Sequence, residues 1–215
     1  MINFYYVNCL IKYLYPSLEL NSIKNKKIHT ILQQEIYAQI FKIKNKEIKL
    51  IILGLDGAGK TTALNKLKMN DIDLTIPTMG FNFESLKYKG LNFNLWDFGG
   101  VYKIRMLWRH YYYDTEGIIF VVDSNNENRV EEAQEEITKV LENEEINDCP
   151  CLVFSNKQDI KEGFSKQDIT EKLGLNKLKN RQWMVQGTSS KRGQGLKEGL
   201  NWMAIELIKR KLIKS

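Results

Sequence analysis

The sequence predicts an α/β protein. It should have a sheet of six mostly parallel strands, one of them joined by an antiparallel hairpin, with helices on both faces. Three observations carry that expectation. Apolar runs of strand length alternate with helical stripes over residues 48–207. Gly54-Leu55-Asp56-Gly57-Ala58-Gly59-Lys60-Thr61 follows the first run and opens a helix. Two segments that alternate at period two flank Lys89-Gly90, as in a tight hairpin.

In chain order, Ile48 to Leu53 reads as a buried strand, and Thr62 to Lys68 as the helix after the glycine-rich loop. Phe81 to Leu86 and Leu91 to Leu95 form the hairpin. Gly117 to Asp123 reads as another buried strand. Val130, Ala133, Ile137 and Val140 make the core stripe of the next helix. Cys151 to Ser155 is another buried strand and Trp183-Met184-Val185 the last. Leu196, Leu200, Met203 and Leu207 mark a closing helix that ends in Lys209-Arg210-Lys211. His110 is expected in a helix beside Tyr111, in a packing or surface role.

Two motifs carry chemistry. The first is the loop at 54–61, which matches G-x-x-x-x-G-K-[ST]. Its glycines let the backbone curl so that N–H groups point inward, and those donors with the helix N-terminus hold phosphates. Lys60 reaches the β/γ oxygens and the Thr61 hydroxyl ligates Mg²⁺. By itself the loop suits an ATPase, a kinase or a GTPase. The second motif, Asn156-Lys157-Gln158-Asp159, ends the apolar strand at 151–155. Ligands of open α/β sheets lie beyond the carboxyl ends of the strands, so both motifs fall on one edge. Asp159 can accept from guanine N1–H and N2–H₂, Asn156 can meet the ring edge, and the Lys157 stem can cover the base. Together the motifs predict a guanine nucleotide.

Composition places limits on the alternatives. The 215 residues are 43 % hydrophobic, enough to bury a sizeable core. Cys9, Cys149 and Cys151 cannot all pair internally, so reduced thiols are expected. Cys149-Pro150-Cys151 lacks zinc spacing and reads as strand entry. The net charge is +6, of which +5 lies in residues 1–49. A nucleic-acid protein would carry its basic surface on the folded body, so no nucleic-acid partner is expected. Membrane-surface attraction and a solvated lysine-rich linker are both open for the basic segment.

Residues 1–30 form an atypical extension, either native or a product of a misplaced start. Ile2 to Tyr15 is apolar but, at fourteen residues, shorter than the roughly 20 needed to span a bilayer. Residues 31–47 comprise an amphipathic helix and linker. Leu32, Ile36, Ile40 and Ile43 share one face, which packs either on its own domain or on lipid.

From about Ile31 onward the chain resembles the ADP-ribosylation factor (Arf) and Arf-like family of small GTPases. The marks, in order, are the loop at 54–61, Ile76-Pro77-Thr78-Met79-Gly80-Phe81-Asn82, Trp96-Asp97-Phe98-Gly99-Gly100, Leu107-Trp108-Arg109-His110-Tyr111, Val121-Val122-Asp123-Ser124 and Asn156-Lys157-Gln158-Asp159. The resemblance implies a P-loop GTPase fold over 48–215 that binds GTP or GDP with Mg²⁺. It implies nucleotide contacts from Gly54, Leu55, Asp56, Gly57, Ala58, Gly59, Lys60, Thr61, Thr62, Thr78, Gly100, Asn156, Lys157, Asp159, Gly187 and Thr188. It implies Mg²⁺ held through Thr61, Thr78 and Asp97, and catalysis involving Lys60, Thr78 and the Gly100 N–H. Phe81, Trp96 and Tyr111 fall at the family's exposed aromatic effector triad, although the sequence pattern alone reads them as core. An exchange factor, a GTPase-activating protein and effectors are the implied partners. The implied setting is a cytoplasmic monomer that associates reversibly with Golgi or other endomembranes in vesicle traffic.

Departures from the family pattern sharpen the expectations. Val101 stands where the family has Gln, so hydrolysis is expected to be slow, and a non-hydrolysing GTP-bound adaptor is the alternative. Residue 2 is Ile, so N-myristoylation of this sequence is not expected, and Leu212-Ile213-Lys214-Ser215 is no prenylation box. Gly187-Thr188 replaces the family's more usual Ala-Thr or Ala-Lys.

Overall fold

A computed structural model describes residues 46–69, 80–160 and 163–214. The extension, the amphipathic helix expected at 31–43 and Thr78 lie outside the described residues. One six-stranded sheet organises the described chain in the order β2-β3-β1-β4-β5-β6. β1 (Glu47–Leu53), β3 (Leu91–Phe98), β4 (Gly117–Asp123), β5 (Cys151–Asn156) and β6 (Trp183–Gly187) run parallel, and β2 (Phe81–Tyr88) is antiparallel to β3. Lys89 and Gly90 close the hairpin with φ of 50° and 83°, the doubly left-handed turn whose twist suits two-residue hairpins.

Alternation along β1 builds both layers at once. Ile48, Leu50 and Ile52 face one core with Phe93, Ile119, Val121, Leu152 and Phe154. The helices α1 (Lys60–Met69) and α5 (Leu196–Lys214) cover that face, with Leu64, Leu200, Met203 and Leu207 in the core. Ile51 and Leu53 face the other core with Ile118, Phe120 and Val153. This side is covered by α3 (Glu127–Leu141), through Val130, Ala133, Ile137 and Val140, and by α4 (Lys166–Lys172), through Ile169. Each fully buried side chain of this size contributes about 1.5–3 kcal/mol. The helices therefore lie on both faces, as the alternating pattern predicts.

The structure also holds elements that the apolar pattern does not announce. α2 (Tyr102–Arg105) is a single turn after β3, and Trp108–Tyr111 is a 3₁₀ helix with His110 exposed on it. α4 has seven residues and one buried position, too few for a stripe. Both Cys149 and Cys151 are buried, with the Cys149 thiol donating to the Thr115 carbonyl at 3.0 Å. No described helix is long and apolar enough to cross a membrane.

Candidate nucleotide-binding site

The loop from Gly54 to Gly59 leaves β1 and enters α1 at Lys60, the strand–loop–helix context the motif requires. Lys60 is buried, and its ammonium donates to the carbonyls of Gly54 at 2.9 Å and Leu55 at 2.8 Å. Burial pulls its pKa down to about 8, with Asp97 and Asp56 acting in the opposite direction. A cation so desolvated is poised to gain from an arriving polyanion. Thr61 Oγ donates to Asp97 Oδ at 2.6 Å, which brings a hydroxyl and a buried carboxylate from the end of β3 together at the start of α1. Two hard oxygen donors at that point fit Mg²⁺. Thr62 follows in the first turn of α1, half-buried.

Phosphate loop and base motif are physically joined. Asn156 is buried, and its Nδ2 donates to the Ala58 carbonyl at 2.8 Å. Its Oδ1 accepts from the Ser190 N–H and hydroxyl, each at 2.8 Å, and from the Thr188 hydroxyl at 3.3 Å. The Asn156 side chain thus braces three loops. The brace explains Gly59: a Cβ there would lie 2.4 Å from Asn156 Nδ2. Lys157 takes a left-handed φ of 67° and pairs with Asp123 at 2.6 Å. A Ser189 hydroxyl bonded to the Asp159 carboxylate holds that group below the usual carboxylate range, so it is an ionised acceptor at neutral pH. Gly187 ends β6 and Thr188 follows it, with the Thr188 N–H donating to the Ser155 carbonyl at 2.9 Å. Ser189 and Ser190, absent from the sequence reading, complete this corner, and only the folded contact to Asn156 and Asp159 reveals them.

On the other side, Gly100 lies against the phosphate loop. A Cβ at this position would meet Asp56 N at 2.2 Å, so no other residue fits without displacing the loop. Val101, the residue before α2, is 44 % exposed and offers no polar side-chain atom. Two arginines that sequence reading passed over meet here. Arg105 Nε donates to the Gly100 carbonyl at 2.6 Å. Arg129 donates to the Asp56 carboxylate at 2.8 Å and 3.3 Å.

Phe81, Trp96 and Tyr111 form one aromatic group, with ring centroids of Phe81 5.1 Å from Trp96 and 5.5 Å from Tyr111. Phe81 is 44 % exposed and Phe83, 47 % exposed, adds its edge to Trp96 at 5.1 Å. Of the two readings of these residues, surface display fits Phe81. Trp96 and Tyr111 are half-buried and pack against the second core. Lys49 secures the group from below, with its ammonium 5.3 Å from the Trp96 ring centre and bonded to the Tyr111 and Tyr113 carbonyls, both at 2.8 Å.

Comparison with known proteins supports the fold and gives the family. A solved structure of the Arl6 (BBS3) small GTPase from Trypanosoma brucei, with the nucleotide analogue GppNp bound, is similar at a TM-score of 0.71 and 29 % identity. The match covers 77 % of this chain and 99 % of that one. The model of the ADP-ribosylation factor family matches residues 33–207. With the phosphate loop, the base motif and the six-stranded sheet in one arrangement, the chain belongs to the ADP-ribosylation factor family.

Proposed function

We propose that this chain is a guanine-nucleotide-dependent switch of the Arf-like type, binding GTP and GDP with Mg²⁺ and recruiting effectors in its GTP form. The observation that carries the reading is the Asn156 brace, which holds the phosphate loop and the Asp159 corner as one site. Asp159 selects guanine because its two oxygens match the paired N1–H and N2–H₂ donors. Lys60 and the loop N–H groups hold the phosphates. Thr61 and Asp97 would hold Mg²⁺, with Thr78 added on the strength of the resemblance. A metal held by these residues would supply charge neutralisation to the phosphates. The effector surface is Phe81, Trp96 and Tyr111, and an exchange factor and a GTPase-activating protein drive the cycle. Membrane contact comes through the 31–43 segment, in vesicle traffic at the Golgi or another endomembrane.

Competition binding tests the core of this reading. Asp159→Asn should weaken GTP and favour xanthine nucleotides, whose O2 accepts from the new amide. Undiminished GTP affinity in the variant, or ATP competing as well as GTP in the unaltered protein, overturns it. A second reading, a GTP-bound adaptor that does not hydrolyse, is favoured by one observation: the apolar, exposed Val101 beside Gly100. Single-turnover hydrolysis with and without an activating protein separates the two.

A further inference from the structure

A carboxylate in the middle of a phosphate-binding loop is electrostatically out of place. Asp56 is in the loop's turn between Leu55 and Gly57, and its charge is close enough to Lys60 to strengthen that ammonium's hold on its proton. A like-charged phosphate brought to Lys60 therefore comes within reach of the Asp56 field.

Arg129, on α3, grips Asp56 from behind. Its guanidinium donates to both carboxylate oxygens, at 2.8 Å and 3.3 Å, and to the Asp56 carbonyl at 3.1 Å. Arg105, buried on α2, reaches the same carboxylate at 3.4 Å. Glu132 joins the two arginines, 2.8 Å from Arg105 and 2.7 Å from Arg129, and fixes their spacing. Arg105 also carries the Gly100 carbonyl, so the second arm of the clamp belongs to the segment that follows β3.

We infer that Arg129 and Arg105 are positioning residues that hold and neutralise the Asp56 carboxylate, keeping it from opposing the nucleotide phosphates. The inference rests on the nucleotide site proposed above and names a control that the loop motif does not contain. Released from Arg129, the carboxylate's charge is left uncompensated beside the phosphates. The penalty should grow with the charge of the ligand, so GTP loses more than GDP. The lowered proton affinity of Asp56, caused chiefly by the Arg129 hydrogen bonds, is in keeping with the clamp.

A double-mutant cycle on the full chain tests this, read by fluorescence titration with mant-GDP and mant-GppNp in Mg²⁺ buffer. Arg129→Met should weaken mant-GDP binding about tenfold and mant-GppNp further, on the scale of one uncompensated charge at short range. Asp56→Asn should tighten binding modestly, by at most about threefold, because the clamp already neutralises the charge. The double variant should return to within about threefold of the unaltered chain, a rescue that a purely structural Arg129 does not produce. Should Arg129→Met fail to fold, Arg129→Lys keeps one charge but loses the fork; a smaller loss with the same rescue is expected. No loss in either Arg129 variant, or a loss that Asp56→Asn leaves unchanged, overturns the inference. An unaltered chain that binds neither probe overturns the proposed site as well. One that binds both without coupling overturns the clamp alone.

Discussion

At the scale of single residues, Lys60 shows what burial does to an ammonium group. In the free protein its ammonium titrates near 8 instead of its ordinary 10.5, because burial penalises the charge. Between those values the unfolded chain holds the proton and the folded one does not, so this group makes folding more favourable as pH rises through that window. Phosphate binding acts in the opposite sense, since an anion restores the charged form. At pH 8.5 GDP binding should take up a proton, and affinity should fall as pH climbs past about 8. Calorimetry in buffers of different ionisation enthalpy reads the uptake, and it should vanish in Lys60→Met. Val101, which offers no polar side-chain atom beside Gly100, is the second residue to test. Hydrolysis should run below the roughly 3–5 × 10⁻⁴ s⁻¹ known for the intrinsic reaction of a GTPase that has the Gln. Val101→Gln should accelerate it in a single-turnover assay, and equal rates would show that another group orders the water. Both positions can be picked out of the sequence, since each stands at a fixed step from a motif. Arg105 and Arg129 cannot, because their meaning depends on Asp56, 49 and 73 positions away.

At the scale of elements, the strands and long helices follow their patterns while the short pieces do not. α3 and α5 bury the stripes their spacing predicts. α4 carries one buried residue within its span, Ile169, and is set instead by its cap: Ser165 Oγ accepts from the Asp168 N–H at 3.2 Å and Asp168 returns the bond to Ser165 N at 2.8 Å. The Ser-x-x-Asp spacing was readable, but a signal of one cap is weak beside a missing stripe. α3 ends on a different device. Arg181, buried ahead of β6, donates to the carbonyls of Leu141, Ile146 and Cys149 at 2.9, 2.7 and 2.7 Å. These bonds satisfy carbonyls at and beyond the helix C-terminus that the interior would otherwise leave without water. Arg181→Met should cost about 2–4 kcal/mol in denaturant unfolding, with mant-GDP affinity nearly unchanged. A loss below about 0.5 kcal/mol would mean that the carbonyls find other donors. The basic end of α5 is likewise tied to its own domain: Arg210 pairs with Asp148 and Lys211 with Glu116, each at 2.5 Å.

At the scale of the whole molecule, the nucleotide edge and the aromatic surface share the β2–β3 hairpin. Asp97, on β3, reaches Thr61 in the site, while its neighbour Trp96 packs with Phe81 on the display face. A shift of that hairpin would therefore move both at once. If the 31–43 segment is the membrane contact, changing Leu32, Ile36, Ile40 and Phe41 to Ala should abolish liposome flotation of the GTP form. Four such side chains, at about 0.8 kcal/mol per buried CH₂, are ample for reversible binding. Salt should weaken it through the nearby lysines. Unchanged flotation would remove the segment from the membrane reading. The sequence by itself determined the layered α/β architecture and the places of the 54–61 and Asn-Lys-Gln-Asp motifs on it, because each is local: a run, a period or a spacing within a few residues. The tertiary structure alone decided that Asn156 braces three loops, that Ser189 and Ser190 complete the base corner, and that two arginines hold Asp56. Those contacts join residues far apart in the chain, and side-chain reach and burial, which no local pattern encodes, decide which of them meet.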